Sequence, residues 1–381
     1  MSLDGISADL THRDRNRKPI SGILSSRFPL DLNGLMSDCF ASMINRLLLL
    51  LASVSVFGIL NNGHSGEITL YSHRHYESDD VLYTKFHEKT GIKVNVVKAG
   101  ADELIERLKA EGENTEADIF MTADAARLHL AKLAGLLEKV DSAILDERIP
   151  ANLRDADGHW FGFTMRARIL AYAKNRVKPS ELSSYEALTG EAWETRVLAR
   201  SSSNIYNQSL LASVIAAHGR EKATEWAKGI RGNMARPPQG SDRDQMRAVA
   251  KGLGDVAIVN TYYVGLLANS EDKADREVAE AIGIFFPNQK GRGTHVNVSG
   301  GGLIKHSNNK EDATKFLEFL ASDEAQKSFP QTTYEYPVVE GIEWSDLMKS
   351  WGEFKSDELN LTKLGELNIE AVEVFNEAGW E

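Results

Sequence analysis

The stretch Trp160-Phe161-Gly162-Phe163-Thr164-Met165-Arg166-Ala167-Arg168-Ile169-Leu170-Ala171-Tyr172 is extended in pattern and has no helix signal between its halves. Upstream of it, short apolar runs alternate with amphipathic segments. Glu67–Ser72 reads as a strand, with a polar turn from His73 to Asp80 and a helix from Val81 to the Thr90-Gly91 stop. Ile92–Val97 alternates like a strand, Asp102–Glu111 like an amphipathic helix, and Ala117–Thr122 like a buried strand that leads into a helix through Leu128 and Leu136. Such alternation predicts βαβ units and a mainly parallel sheet. The long stretch then reads as a strand that crosses from one lobe into another.

Beyond the crossing, helices are expected near Ser184–Leu188, Ser209–His218, Glu221–Lys228 and Asp242–Lys251, followed by a strand at Asp255–Val259. Ala281–Pro287 reads as the return crossing. Gly301–Lys305 and a helix at Glu311–Leu320 then rebuild the first lobe, with Ala313, Phe316, Leu317 and Leu320 on one face and Asn309 as N-cap. The predicted fold is α/β, with two Rossmann-like lobes joined by two hinge crossings. Its cleft closes by hinge bending, as in periplasmic binding proteins. The boundaries expected are 66–163 for the first part of lobe 1, 164–284 for lobe 2, and 285–381 for the rest of lobe 1 and the C-terminal helices.

The run Leu47–Leu60 is 14 residues long. A membrane-crossing helix needs about 20 apolar residues, whereas signal-peptide cores run to about 7–15. Arg46 precedes the run, and Gly63 and Ser65 are small residues placed to leave Gly66 as the mature N-terminus. Residues 43–65 are therefore read as a signal peptide and the mature chain as periplasmic, an uncleaved anchor being the alternative. Residues 1–42 read as polar and structureless, with Met36 or Met43 as the start. The lone Cys39 excludes an intramolecular disulfide and a thiolate metal cluster. A formal net charge of −11 argues against nucleic acid as a partner.

Three separated segments place tyrosines just after a predicted strand or at the start of a helix: Arg74-His75-Tyr76, Asn204-Ile205-Tyr206-Asn207 and Asn260-Thr261-Tyr262-Tyr263. Side chains of an α/β protein converge on ligands at such places. Each tyrosine taken singly reads as a packed residue with a satisfied hydroxyl, and convergence alone would make them a site. Four phenols and an imidazole are hard donors suited to a small, highly charged cation such as ferric iron. Four phenolates on Fe³⁺ leave one net negative charge, which Arg74, Arg166 and Arg168 are placed to balance. Tyr262 and Tyr263 can reach one ion together only from a turn or helix start. The other six tyrosines, Tyr71, Tyr83, Tyr172, Tyr185, Tyr334 and Tyr336, are assigned to packing or surface.

At these residues the chain resembles the ferric-iron-binding proteins of ABC transporters, within the type II periplasmic binding proteins. The likeness runs from about Glu67 to the C-terminus. It is carried by Tyr71-Ser72-His73-Arg74-His75-Tyr76, Met121-Thr122-Ala123-Asp124-Ala125, Ser203-Asn204-Ile205-Tyr206-Asn207, Gly254–Tyr263 and the ending Ala378-Gly379-Trp380. The resemblance implies that Tyr76, Tyr206, Tyr262 and Tyr263 are iron ligands, with His75 as a fifth in some states. It also implies an all-protein, anion-independent shell, a monomer, Fe³⁺ as cargo and an inner-membrane permease as partner. The competing reading is a binding protein for a small anion or a polyamine. An anion binder would lean on helix N-termini and have no need of clustered phenols, and a polyamine binder would want carboxylates. No catalytic motif of the zinc-protease, nucleophile-elbow or phosphate-loop kind is present. Gly300-Gly301-Gly302 reads as a strand entry and Ser201-Ser202-Ser203 as a loop, so the chain is not expected to be an enzyme.

Overall fold

The computed structural model describes residues 66–74 and 76–381. The signal peptide expected at 43–65, the segment before it and His75 lie outside the described residues. Among the described residues, no helix is long and apolar enough to cross a membrane.

Strand β1 (Glu67–Ser72) leads through a turn into helix α1 (Asp79–Thr90). Gly91 ends that helix in the left-handed region, at φ 76°, and its N–H donates to His87 O. Strand β2 (Lys93–Lys98), helix α2 (Ala101–Glu111), strand β3 (Ile119–Thr122) and helix α3 (Ala125–Leu133) follow in the expected alternation. β1 lies parallel between β2 and β3. Helix α3 stops short of Leu136, which leads into the two-residue strand β4 (Leu137–Glu138).

Strand β5 (Phe161–Ala173) is the predicted crossing. Almost every residue along it is buried, so both faces are covered and no polar alternation develops. Its Phe161–Ala167 end pairs antiparallel with a late strand, and its Arg168–Tyr172 end pairs antiparallel with β7. Between β5 and that late strand the chain builds β6 (Val197–Leu198), α4 (Ile205–His218), α5 (Arg220–Gly232), α6 (Asp242–Ala250), β7 (Val256–Asn260), α7 (Thr261–Ala268), α8 (Lys273–Ala281) and β8 (Ile282–Phe285). The helix expected near Ser184–Leu188 is instead a single 3₁₀ turn at Glu186–Thr189.

The return differs from expectation. Residues Ala281–Pro287 do not rejoin the first half: among the described residues β8 pairs with the Leu170–Ala173 end of β5 and with no other strand. Past Pro287 the chain doubles back through a turn with Asn288 and Gly293 at positive φ. The return is made by β9 (Val296–Ile304), which is buried throughout. β9 pairs with β5, β3 and β4. The glycines Gly300-Gly301-Gly302 lie inside it, where the backbone is crowded: a Cβ at Gly300 would sit 2.2 Å from Phe161 O, and one at Gly302 2.3 Å from His159 O. The path through the sheet is β2-β1-β3-β9-β5-β7-β6.

Helix α9 (Lys310–Leu320) buries Ala313, Phe316, Leu317 and Leu320 as predicted. Asn309 stands at its N-cap position but makes no capping bond. Its Nδ2 donates to both oxygens of the buried Asp118 at 3.3 Å, a carboxylate that needs donors. Helix α10 (Asp323–Thr332) then leads into β10 (Tyr336–Pro337), paired with Thr164 and Met165 of β5.

Candidate metal centre

Each tyrosine of interest stands at the first turn beyond a strand or at a helix start. Tyr76 sits in the loop between β1 and α1, where its carbonyl accepts from the Asp79 N–H at 3.2 Å. Arg74, two residues earlier, is buried and anchors this loop. Its guanidinium bonds both Asp79 oxygens, at 2.9 and 3.0 Å, and Glu335 Oε2 at 2.7 Å. The same group lies over the Tyr76 ring, with Cζ 4.9 Å from the centroid.

Tyr206 occupies the first turn of α4, where its N–H donates to Oδ1 of the N-cap residue Asn204. Tyr262 and Tyr263 open α7 directly after β7, the helix start that lets neighbouring residues face one point. Their ring centroids are 4.1 Å apart. Asn260 stands at the N-cap of that helix without capping it. Its Oδ1 accepts from Arg168 Nη1 at 3.1 Å, and its N–H donates to Asp242 Oδ2 at 2.9 Å.

The structure brings all four tyrosines together. Tyr76, Tyr206, Tyr262 and Tyr263 line one cavity of about 580 Å³, with His73 and Arg243 beside them. The hydroxyl oxygens of Tyr206 and Tyr262 are 3.3 Å apart, and the Tyr76 and Tyr262 rings meet edge to face at 6.1 Å. His73 approaches Thr122 Oγ1 through Nδ1 at 3.3 Å.

Burial is the main reason Tyr76, Tyr262 and Tyr263 hold their protons. It pushes Tyr76 well above the ordinary phenol value, with the Glu335 carboxylate adding to the effect and Arg74 opposing it. Tyr262 is pushed up by burial and then by Tyr206, Tyr263 and Tyr76, with Arg166 opposing. Tyr263 is raised for the same first cause, then by Tyr206 and Asp242. The phenols oppose one another's ionisation because their oxygens converge. A cation placed among them would reverse that balance.

The three arginines expected around the site are buried behind the rings. Arg166 bonds Ser299 Oγ and the Ala123 carbonyl, and its Cζ is 5.4 Å from the Tyr206 centroid. Arg168 is held by Asp242, Asn260 and Asn207 and lies 5.9 Å from the same centroid.

Sequence reasoning missed four further residues. Arg200 also reaches the Tyr206 ring, at 5.9 Å, and Arg243 the Tyr263 ring, at 5.7 Å. Glu335 and Asp242 are the buried carboxylates that hold Arg74 and Arg168. Arg74 and Arg243 line the cavity together with the carboxylate of Glu77, while Arg166, Arg168 and Arg200 stand behind the Tyr206 ring. Only Arg243 carried a signal: it stands in the first turn of α6, where a cation opposes the helix dipole.

A second donor group, Asp155, Asp157 and His159, is closed by Lys132, whose ammonium lies 2.8 Å from Asp155 Oδ1 and 2.7 Å from Asp157 Oδ2.

Comparison with known proteins gives a consistent answer. Residues 82–356 match the family described as bacterial extracellular solute-binding protein. The chain is 52% identical over 319 residues to Iron uptake protein A1 of Synechocystis sp., covering 84% of this chain and 89% of that one. It is 27% identical over 277 residues to the Major ferric iron-binding protein of Neisseria meningitidis, covering 71% and 81%. Among solved structures it resembles a Trichodesmium protein, IdiA (FutA), in complex with iron and citrate ligands. That match has a TM-score of 0.81 at 51% identity and covers 83% of this chain and all of that one. Apo FutA2 from Synechocystis superposes with a TM-score of 0.79 at 48% identity, covering 83% and 99%. With the type II two-lobed fold of these neighbours, the chain belongs to the bacterial extracellular solute-binding proteins, in the branch that holds these ferric-iron-binding relatives.

Proposed function

We propose that the protein captures ferric iron in the cleft between its lobes and delivers it to an inner-membrane ABC permease. Tyr76, Tyr206, Tyr262 and Tyr263 are the phenolate ligands, and His75, next in sequence to Tyr76, is a fifth donor in some states. The observation that carries this reading is the meeting of four phenols from three chain segments around one cavity. Phenols that resist ionisation are poor ligands for weakly charged cations. A trivalent ion can displace their protons, and the resulting hard oxygen donors favour Fe³⁺ over Fe²⁺.

Arg74, Arg166 and Arg168 balance the excess negative charge of a tetraphenolate ferric centre. Because protein groups supply the whole shell, binding needs no exogenous anion. The lobes divide where β5 and β9 cross, with residues 66–163 building the first lobe and the elements from β6 to β8 the second, and a cleaved signal peptide at 43–65 exports the chain to the periplasm. The chain works as a monomeric carrier and catalyses nothing. Two arginines, Arg74 and Arg243, against one carboxylate, Glu77, disfavour a polyamine, and a simple anion would leave the phenols without a task.

Calorimetry on the metal-free mature protein tests the reading. Ferric citrate is expected to give a saturable heat at one equivalent, with none from spermidine or sulfate. Heat from spermidine or sulfate, and none from ferric citrate, would overturn it.

A further inference from the structure

The segment Met121-Thr122-Ala123-Asp124-Ala125 carries part of the likeness to ferric-iron-binding proteins but supplies none of the proposed ligands. Its residues build the wall of the cavity instead. Thr122 Oγ1 lies 3.3 Å from His73 Nδ1. Ala123 lines the cavity, and its carbonyl accepts from Arg166 behind the Tyr206 ring.

Asp124 is fully buried, and its carboxylate joins three elements. Oδ1 accepts from the Arg127 N–H at 3.2 Å and so caps α3. Oδ2 accepts from Asn297 Nδ2 of β9 at 2.8 Å and from Ser209 Oγ of α4 at 2.7 Å. A second bond runs beside the last one. Arg127 is held by both oxygens of Asp102 and donates through Nη1 to Gln208 Oε1 at 3.0 Å. Gln208 and Ser209 are thus both tied to the start of α3, which precedes β5 in the chain, although α4 follows β5. Asp124, Arg127, Gln208 and Ser209 are all buried, so little water competes for these bonds.

Ser209 lies three residues beyond Tyr206, on the same side of α4. At the other end of the bond, β3 leads into Asp124 and pairs with β1, which leads into the Tyr76 loop. Few parts therefore intervene between the Asp124–Ser209 bond and either phenol.

We infer that Asp124 is a positioning residue for the ferric site: by holding Ser209 it fixes the turn of α4 that presents Tyr206, and so sets where that phenol stands relative to Tyr76. It acts through the helix and not as a donor to the ion. This inference rests on the proposed ferric site and adds a group that orients one of its ligands.

The test uses the full mature chain and Ser209→Ala, which removes the hydroxyl, adds no atoms and leaves Asp124 its bonds from Arg127 and Asn297. Asp124→Ala would also strip the cap from α3, so it is not the variant of choice. Ferric affinity is read by competition against citrate, in the native background and in Tyr206→Phe. Ser209→Ala is expected to lower the affinity roughly tenfold, the low end for groups that orient a metal's ligands. In Tyr206→Phe the same change should lower it no further, because the phenol it positions no longer donates. Native affinity in Ser209→Ala would overturn the assignment and leave the ferric site standing. An equal loss in both backgrounds would overturn it too, since the hydroxyl would then act independently of Tyr206. A native protein that takes up no ferric iron would overturn the proposed site itself.

Discussion

The hydroxyl oxygens of Tyr206 and Tyr262, from residues 56 apart in the chain, stand 3.3 Å from each other over the cavity. Two phenols at that distance can share one proton between them, but both can ionise only beside a strong positive charge. From this pair and its two neighbours come distinct expectations.

Replacing Tyr206 or Tyr262 by Phe removes a donor oxygen and keeps the ring. For Tyr262 the ring contact with Tyr263 survives. Ferric affinity should fall by more than the roughly 10–100-fold typical of changes around a metal's ligands. Stability of the metal-free protein should move by only about 1 kcal/mol, the net worth of an ordinary hydrogen bond. Competition against a chelator reads the first quantity and urea denaturation the second.

Acid should release the cargo. Tyr76, Tyr262 and Tyr263 all hold their protons more tightly than an ordinary phenol. Each must lose its proton to ligate iron, so affinity should fall steadily as pH drops through and below neutrality. A binding curve flat over that range would contradict direct phenolate ligation.

The same raised values predict alkaline instability of the metal-free protein. A phenol raised in the folded state contributes stability that is intact below the unfolded value of about 10 and lost as pH rises toward the folded value. Above about pH 10 the unfolded chain sheds protons that the folded one retains, so unfolding is favoured. Denaturation midpoints measured across that pH should fall, and fall less for Tyr262→Phe.

Glu335 accepts Arg74 at 2.7 Å, Ser299 Oγ at 3.2 Å and Thr333 Oγ1 at 3.3 Å, with almost no exposure to water. Glu335→Ala leaves the buried Arg74 with Asp79 as its carboxylate partner and Thr164 Oγ1 as a neutral acceptor. A loss of about 3 kcal/mol is expected, the low end for breaking a buried ion pair because one partner remains. Equilibrium unfolding in urea measures it.

Much of this architecture was legible because it depends on local pattern. The strand and helix alternation up to α3, the buried crossing strand β5 and the helix-start placement of Tyr262 and Tyr263 all follow from periodicity and from what lies next in sequence. What escaped depends on distance in the chain. Glu335 reaches Arg74 across 261 residues and Arg168 reaches Asp242 across 74, and nothing beside either carboxylate announces its partner. The return through β9 was misplaced because Ile282–Phe285 is as apolar as a crossing strand. Only the turn after it, with Asn288 and Gly293 at positive φ, sends the chain back. Asn309 holds its predicted position without capping the helix and donates its amide N–H to Asp118, a partner 191 residues away that the local sequence does not reveal.

Resonance Raman spectroscopy of the ferric-loaded mature protein tests the tetraphenolate site most directly. Excitation in the visible band should enhance phenolate ring modes, and these should weaken in Tyr206→Phe and in Tyr262→Phe. A ferric complex with no enhanced phenolate modes, or with modes unchanged in both variants, would contradict it.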